Sequence, residues 1–203
     1  TVPYLAKVQI KQLLFFLLCL SSVVVPHTAV AQFEEGNRRV KSELIADHES
    51  LQPVDSYDVA ASRIAVKLTI EDGWHLYWKN SGEAALPTSI RWTLPDGWRV
   101  GELQWPVPKK FLERGDVVTY GYNKEVLLIA DLYAPIVIPE ENENVEIKAE
   151  VSFLVCHDIC VPGRNEVKLW LPFSTDKPLT PSKEYGLFEK TSKEVPQIPE
   201  RLS

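Results

Sequence analysis

The sequence predicts an all-β protein, built as an antiparallel β-sandwich with one short helix near the C-terminus. Short runs with apolar and polar residues in alternation, the pattern of half-buried strands, recur from about residue 41 to residue 172. Clusters of Gly, Pro, Asn and Asp separate these runs and are typical of turns. The chain also has 15 prolines and shows no long helical period. Together these observations favour a sandwich over a helical or α/β fold.

Five runs carry the strand prediction. They are residues 63–70, 89–94, 126–133, 145–155 and 166–171. The longest places apolar side chains at every second position, so that one face of that strand packs on the core; these are Val145, Ile147, Ala149, Val151 and Phe153. The run at 126–133 is almost continuously apolar, which predicts a central strand.

The C-terminal segment, residues 175–203, is predicted to contain the helix and a linker. Thr180 and Pro181 suit the N-cap and first helical positions, respectively. Behind them come three apolar residues that can face the core, Tyr185, Leu187 and Phe188. From residue 195 onward there are two prolines and no core pattern, so we expect a linker that is cut short.

Residues 1–31 have the order of a secretory signal. Lys7 and Lys11 precede an apolar run at 13–25, and Ala29-Val30-Ala31 follows as an A-x-A cleavage site. The apolar run falls short of the ~20 residues that a membrane-spanning helix needs. An uncleaved membrane anchor is the alternative to a signal that is removed after Ala31.

The exported part is then expected to have a flexible polar leader at 32–41 and the sandwich at 42–174. The formal net charge of the whole chain is −6. The predicted signal contains two lysines and no acidic residue, so its removal makes the rest of the chain more negative. An acidic surface without a basic stripe argues against binding to nucleic acid, which requires clustered Lys and Arg. No second segment is long and apolar enough to span a membrane, so membrane attachment is expected only through regions missing at the C-terminal end.

The cysteines are the most informative residues for function. The chain has three, and removal of the signal with Cys19 leaves Cys156 and Cys160 in an oxidising compartment. Residues four apart in an extended strand are ~13 Å apart, whereas a disulfide requires Cα atoms within roughly 4.4–6.8 Å. A bonded pair must therefore lie in a tight turn. A disulfide that closes so short a loop stabilises the fold little, which favours a redox switch.

Other interpretations of the pair stay open at this point. A passive structural disulfide is the commoner fate of two cysteines in an exported protein. His157, if protonated, would favour a Cys156 thiolate and Asp158 would oppose it, or His157 could point away. A metal site built on the two cysteines and His157 would lack a clear fourth ligand, so we predict no metal and no cofactor.

An ordered series of short motifs resembles a known family. The motifs are residues 73–78 (GWHLYW), 86–92 (LPTSIRW), 105–109 (WPVPK), 120–122 (YGY) and 154–162 (LVCHDICVP). In this order behind a signal peptide, they resemble the N-terminal periplasmic domain of the thiol:disulfide interchange protein DsbD family, with a closer similarity to its ScsB-like branch, which is associated with copper tolerance.

The resemblance implies an immunoglobulin-like sandwich and a role in electron relay. Cys156 and Cys160 would be the redox pair, with Cys160 forming the mixed disulfide with partners. Electrons would come from thioredoxin-like and transmembrane domains of the same or a partner chain and pass to thioredoxin-fold periplasmic proteins. The protein would be a periplasmic thiol:disulfide oxidoreductase, tethered to the inner membrane in its full-length form.

The family also has a loop that caps the disulfide, and residues 116–122 are its expected place. The candidate cap residues are Thr119, Tyr120, Gly121 and Tyr122, although ordinary sandwich packing would equally explain the two tyrosines. His75 is expected to be a structural histidine, and four tryptophans are expected to pack in the core and at its edge; these are Trp74, Trp78, Trp92 and Trp105. The alternative function is a periplasmic binding module with a structural disulfide, linked to the handling of copper.

Overall fold

The protein folds as two antiparallel sheets packed face to face. The structure, a computed structural model, describes residues 28–54, 59–81, 86–113, 115–135, 143–175 and 178–196. The sandwich belongs to the second of two compact units, which comprise residues 1–31 and 32–203. The predicted signal lies outside the described residues up to residue 27, and so does the predicted linker beyond residue 196. In the described part of the chain, no helix is long and apolar enough to cross a membrane.

The smaller sheet has four strands in the order β1-β2-β8-β5. These strands are β1 (Val40–Ala46), β2 (Ser62–Ile70), β5 (Arg99–Val100) and β8 (Glu125–Tyr133). The predicted strands at 63–70 and 126–133 are confirmed as β2 and β8. β8 is apolar on both faces because one face packs in the core and the other lies beneath a helix, where Leu127 and Ile129 contact Phe188.

The larger sheet contains the strands that carry the cysteines. Its strands are β3 (His75–Tyr77), β4 (Ser89–Thr93), β6 (Lys109–Leu112), β7 (Val118–Tyr122), β9 (Asn144–Cys156) and β10 (Cys160–Pro172). The order is β10-β9-β3-β7-β6, and β4 also pairs with β9. The predicted strands at 89–94, 145–155 and 166–171 are confirmed, although β10 begins six residues earlier than predicted because it pairs with β9 along its whole length.

The core lies between the two sheets and follows the period-2 pattern. The five residues of β9 predicted to face inward are all buried, as is Val155 at the same spacing. Trp105 is buried, and the other three predicted packing tryptophans are partly buried against the core. The prediction of an immunoglobulin-like antiparallel sandwich with a short C-terminal helix is therefore confirmed.

The segment before β1 differs from the expected flexible leader. Helix α1 (Thr28–Arg39) includes most of residues 32–41, and β1 begins at Val40. Glu35 pairs with Arg38 and Arg39 at i,i+3 and i,i+4, a spacing that supports a helix. Composition alone could not indicate this helix because it also depends on contacts with β10, described below.

The C-terminal helix starts later than its sequence signal. Helix α2 (Tyr185–Glu194) has Glu184 as its N-cap residue, without a side-chain cap. The predicted capping residue Thr180 instead accepts a backbone hydrogen bond from Glu49 (2.9 Å), and Pro181 forms a β-bridge with His48. These contacts hold 180–181 outside the helix. The predicted inward residues are confirmed in part: Phe188 is fully buried and Leu187 packs beside it.

A buried ion pair fastens α2 to the smaller sheet. The Asp47 carboxylate accepts hydrogen bonds from Arg63 Nε (2.7 Å) and Ser62 Oγ (2.7 Å), and Arg63 continues to Glu189 on the helix (2.7 Å). Burial by itself raises the pKa of Asp47, but the hydrogen bonds, led by that from Arg63, outweigh it and hold this pKa below its ordinary value. The carboxylate thus stays ionised and anchors the helix.

Candidate functional site

The two cysteines close the end of a β-hairpin. β9 ends at Cys156 and β10 begins at Cys160, and the two residues are paired in register. Residues 157–159 form the connection, in which the His157 N–H donates to the Ile159 carbonyl (3.1 Å). The Cα atoms lie 4.1 Å apart and the sulfurs are bonded. The predicted tight turn is therefore confirmed.

The two cysteine residues differ in their access to solvent. Cys156 is fully buried, whereas Cys160 is exposed, as is the whole connection that precedes it. Ile159, at the tip, exposes 66% of its surface. A thiolate must reach a sulfur atom to exchange with it, so this geometry offers Cys160 to a partner and protects Cys156.

A polar cluster lies beside the disulfide on the same side of the sheet. His75 on β3 is paired in register with Cys156, and two residues further the Tyr77 hydroxyl lies 3.7 Å from Cys160 Sγ. The Glu113 carboxylate, directly after β6, accepts a hydrogen bond from Thr119 Oγ1 (2.9 Å). The cluster thus draws its residues from β3, β7, the end of β6 and the cysteine hairpin.

Glu113 is the centre of this cluster. Its Oε1 lies 2.8 Å from His75 Nε2, in a close approach that is not an aligned hydrogen bond. Burial lowers the pKa of His75, and the neighbouring Glu113 carboxylate opposes this only in part. Burial also raises the pKa of Tyr77 to about 12, reinforced by the charge of Glu113 and by a hydrogen bond to it. Both aromatic side chains are therefore neutral near pH 7.

Stacking keeps the histidine in place. The His75 ring is stacked on Phe111 of β6, with centroids 4.5 Å apart, and meets Tyr77 edge-on at 5.2 Å. His75 and Tyr77 are both buried. The sequence interpretation of His75 as a structural histidine agrees with this packing, but it did not predict that His75 lies in the cluster beside the cysteines.

The four candidate cap residues lie on β7 or at its end rather than in an open loop. Thr119 is buried and bound to Glu113, and Gly121 is paired with Tyr77. Tyr122 is a core residue whose hydroxyl donates to the Pro106 carbonyl (2.7 Å). Tyr120 is 41% exposed and bonds to Trp78 only through the backbone. Their capping role stays a prediction.

Sequence reasoning missed Tyr77 and Glu113. The usable signal for Tyr77 was the alternation in GWHLYW, which puts residues 75 and 77 on the face opposite to Leu76. Nothing in the sequence shows that this face adjoins the cysteines, since Tyr77 and Cys160 are 83 positions apart. Glu113 lies just outside the residues that we expected to form the cap.

His157 turns towards the start of β3. Its ring lies 5.8 Å from that of Trp74, and its Nδ1 is 3.1 Å from the Asp158 carboxylate. Gly73 leaves room for this ring, since a Cβ there would lie 3.2 Å from the imidazole and the backbone has a φ of +85°. The two candidate modulators thus contact each other and the neighbouring turn.

Helix α1 supports the other side of the hairpin. The Asn37 side-chain oxygen accepts a hydrogen bond from the Arg164 N–H (2.6 Å), and Arg39 lies over the Trp74 ring at 4.8 Å. Arg39 also binds Glu71 through two hydrogen bonds. The cysteine hairpin is therefore held from both sides. Within the described residues, no group of three His, Cys, Asp or Glu side chains is arranged to hold a metal ion.

Solved structures of bacterial periplasmic domains are similar to this chain. The chain is similar to the N-terminal periplasmic domain of ScsB from Proteus mirabilis, with 19% identity and a TM-score of 0.54, over 79% of this chain and 56% of that one. It is also similar to the Neisseria meningitidis DsbD N-terminal domain in the reduced form, with 15% identity and a TM-score of 0.33, over 79% of this chain and 96% of that one. A search of curated protein sequences finds no match.

The family assignment rests on the sequence match. The chain spans 56% of the ScsB domain structure, and similarity at this level of identity supports the fold alone. The family described as "Thiol:disulfide interchange protein DsbD, N-terminal" matches residues 41–172, which include nearly all of the sandwich and both cysteines of the hairpin. The chain therefore belongs to the family of DsbD N-terminal domains.

Proposed function

We propose that this protein is a periplasmic thiol–disulfide exchange domain that relays electrons through Cys156 and Cys160. The observation that carries the proposal is the unequal exposure of the two bonded cysteines at the end of one hairpin. An exposed sulfur can accept a partner's thiolate, and its buried companion is held beside it to complete the exchange.

Two successive thiolate attacks would reduce this domain and oxidise its partner. A thiolate of a reduced dithiol partner attacks Cys160 Sγ, the bond between the two cysteine sulfurs breaks, and Cys156 leaves as a thiolate that takes up a proton. The partner's second thiolate then attacks the mixed disulfide and releases Cys160 as a thiolate, which takes up a second proton. The partner has become a disulfide, and this domain has gained two electrons and two protons. The reverse sequence reduces the disulfide of a second partner.

The position of the bond supports reversible use. The bond joins residues that the β9–β10 pairing already holds opposite each other, so opening it releases little chain. A structural disulfide that stabilises a small exported domain more often closes a long loop. We expect the reduced domain to keep its fold and remain ready for the next partner.

The family and the predicted signal support an inference about the partners and the compartment. The donor would be a thioredoxin-like or transmembrane domain of the same or a partner chain, and the acceptors would be thioredoxin-fold proteins of the periplasm. Cleavage after Ala31 would deliver the domain to that compartment.

A structural disulfide in a binding module is the second candidate, and the complete burial of Cys156 favours it. The reduction potential separates the two candidates. A relay disulfide equilibrates with thioredoxin-fold dithiols, whereas a structural disulfide lies below about −300 mV and resists them.

Trapping tests the same point directly. The domain is prepared with one cysteine replaced by alanine and mixed with an oxidised thioredoxin-fold protein. Cys156→Ala leaves the exposed Cys160 thiol and should give a mixed disulfide on a non-reducing gel. Cys160→Ala leaves the buried thiol and should give far less. If neither variant forms a mixed disulfide, and the potential of the parent is below −300 mV, the exchange proposal is wrong.

A further inference from the structure

The Tyr77 hydroxyl is the polar group that the structure places against the reactive sulfur. Its oxygen lies 3.7 Å from Cys160 Sγ, within reach of a hydrogen bond that involves sulfur. Tyr77 exposes only 4% of its surface, and the pairing of β3 fixes it between β9 and β7. The hydroxyl is therefore held at this place by the sheet rather than by a mobile loop.

This hydroxyl has two acceptors but a single proton to donate. One acceptor is the Glu113 carboxylate, whose charge and hydrogen bonding add to burial in raising the pKa of Tyr77. The other is Cys160 Sγ, which is a weak acceptor while it is part of a disulfide. In the disulfide form the carboxylate is the stronger acceptor because it is charged.

Opening the disulfide changes this balance. The second step of the exchange releases Cys160 as a thiolate, and the reverse sequence begins with the attack of this thiolate on a partner's disulfide. A thiolate is a charged acceptor. We propose that Tyr77 is a further catalytic residue, whose hydroxyl donates to Glu113 while the disulfide is closed and to the Cys160 thiolate once it is open. This inference rests on the proposed exchange function and assigns a residue to its reacting sulfur.

The proton of Tyr77 is shared and not transferred. The pKa of Tyr77 is raised to about 12, well above that of an ordinary thiol. The phenol therefore remains protonated at every pH at which the thiol ionises. Its contribution is a hydrogen bond that lowers the energy of the thiolate, both when Cys160 attacks and when it departs.

The other ionisable groups around the site do not supply this donor. They are His75 on β3, Glu113 after β6, and His157 and Asp158 in the connection between β9 and β10. Burial keeps His75 neutral, and its Nε2 lies 2.8 Å from Glu113 Oε1 without an aligned hydrogen bond. His157 and Asp158 contact each other, and the His157 ring lies by Trp74. Glu113 and His75 are thus positioning residues that hold Tyr77.

The test measures the pKa of the Cys160 thiol directly. In the Cys156→Ala protein, the rate of alkylation by iodoacetamide is followed from pH 5 to pH 10 with Tyr77 intact and in the Tyr77→Phe variant, which keeps the ring. Loss of one hydrogen bond to a charged acceptor should raise the thiol pKa by about one unit, a roughly tenfold lower thiolate fraction near neutral pH. Tyr133→Phe, on β8 of the smaller sheet, is the matched control and should leave the profile unchanged.

Glu113 provides a change of opposite sign. Glu113→Gln removes a negative charge and frees the Tyr77 hydroxyl for the sulfur, so the thiol pKa should fall. Asp116→Asn, in the same hairpin turn, removes a charge without a described contact to the cluster and should have little effect. When Glu113→Gln is combined with Tyr77→Phe, no hydroxyl is left to donate to the sulfur. The decrease in the thiol pKa caused by Glu113→Gln should therefore be smaller in this double variant.

A spectroscopic measurement covers the case in which Tyr77→Phe does not fold. In the Cys156→Ala protein with 13C-labelled tyrosine, the ring carbon that bears the Tyr77 hydroxyl should change its NMR shift with the pKa of Cys160. A resonance that stays constant through that titration overturns the proposal, as does a Tyr77→Phe alkylation profile equal to that of the parent. If one of these two results is obtained while the Cys156→Ala protein still captures a partner as a mixed disulfide, only the role of Tyr77 is contradicted. If the Cys156→Ala protein captures no partner, both the exchange function and the role of Tyr77 are contradicted.

Discussion

Reduction of the Cys156–Cys160 disulfide should lower the free energy of unfolding by only about 2 kcal/mol. The two residues are four positions apart. The loop-entropy relation gives about 2 kcal/mol at 25 °C for so short a loop, compared with about 4.7 kcal/mol for a loop of 100 residues. Because β9 and β10 stay paired from the cysteines to Pro172, the reduced hairpin should keep its register.

Urea unfolding with and without dithiothreitol measures this difference. Circular dichroism should give two transitions with the same m-value, because the surface exposed on unfolding hardly changes. The variant with both cysteines replaced by alanine is the control, and dithiothreitol should not affect it. A loss above about 4 kcal/mol, or a native spectrum that changes on reduction, would show that the bond staples the fold and would contradict the reasoning from loop length.

Three further predictions concern the scaffold. Asp47→Asn should lower the free energy of unfolding by roughly 3 kcal/mol near neutral pH because it leaves the Arg63 charge without its buried partner. Since folding lowers the pKa of Asp47, the parent should lose this stability as the pH falls below about 4 and through the folded pKa. The urea midpoint of the variant should lack this pH dependence. Gly121→Ala should destabilise the protein by more than 2 kcal/mol because its Cβ would lie 2.0 Å from the Leu76 carbonyl oxygen. Gly186→Ala in α2 has open space around the new Cβ and should stabilise the protein by about 1 kcal/mol. Equal melting temperatures of the two variants would contradict both expectations. Because folding lowers the pKa of His75, the parent should lose stability as the pH falls below about 6.5, and this loss should level off below the folded pKa. His75→Phe should remove this part of the pH dependence. If the variant loses the same stability over this pH range, another group is the cause.

The elements predicted correctly were those whose signals are local. The alternation from Val145 to Phe153 matches the burial along β9, because the two faces of a strand follow directly from the period of its backbone. The spacing of Cys156 and Cys160 required a turn, and the hairpin has one. The motif series likewise indicated the family without any knowledge of contacts.

The errors arose where distant segments override a local signal. Thr180 and Pro181 have the composition of a helix start, but their backbone is bound to the segment around His48 and Glu49, and α2 begins at Tyr185. The polar leader is a helix whose Asn37 binds Arg164, 127 positions away. A capping preference or a polar composition carries a few tenths to about one kcal/mol, so a few tertiary hydrogen bonds are enough to reverse it.

The sequence by itself determined the class of sandwich, the family and the identity of the two cysteines, because period-2 patterning and chemical spacing are properties of neighbouring residues. The tertiary structure alone decided which cysteine is exposed and which side chains surround it. Tyr77, Glu113 and Cys160 meet only because β3 is inserted between β9 and β7. Strand order of this kind is set by the packing of the whole core, and no local stretch of residues encodes it.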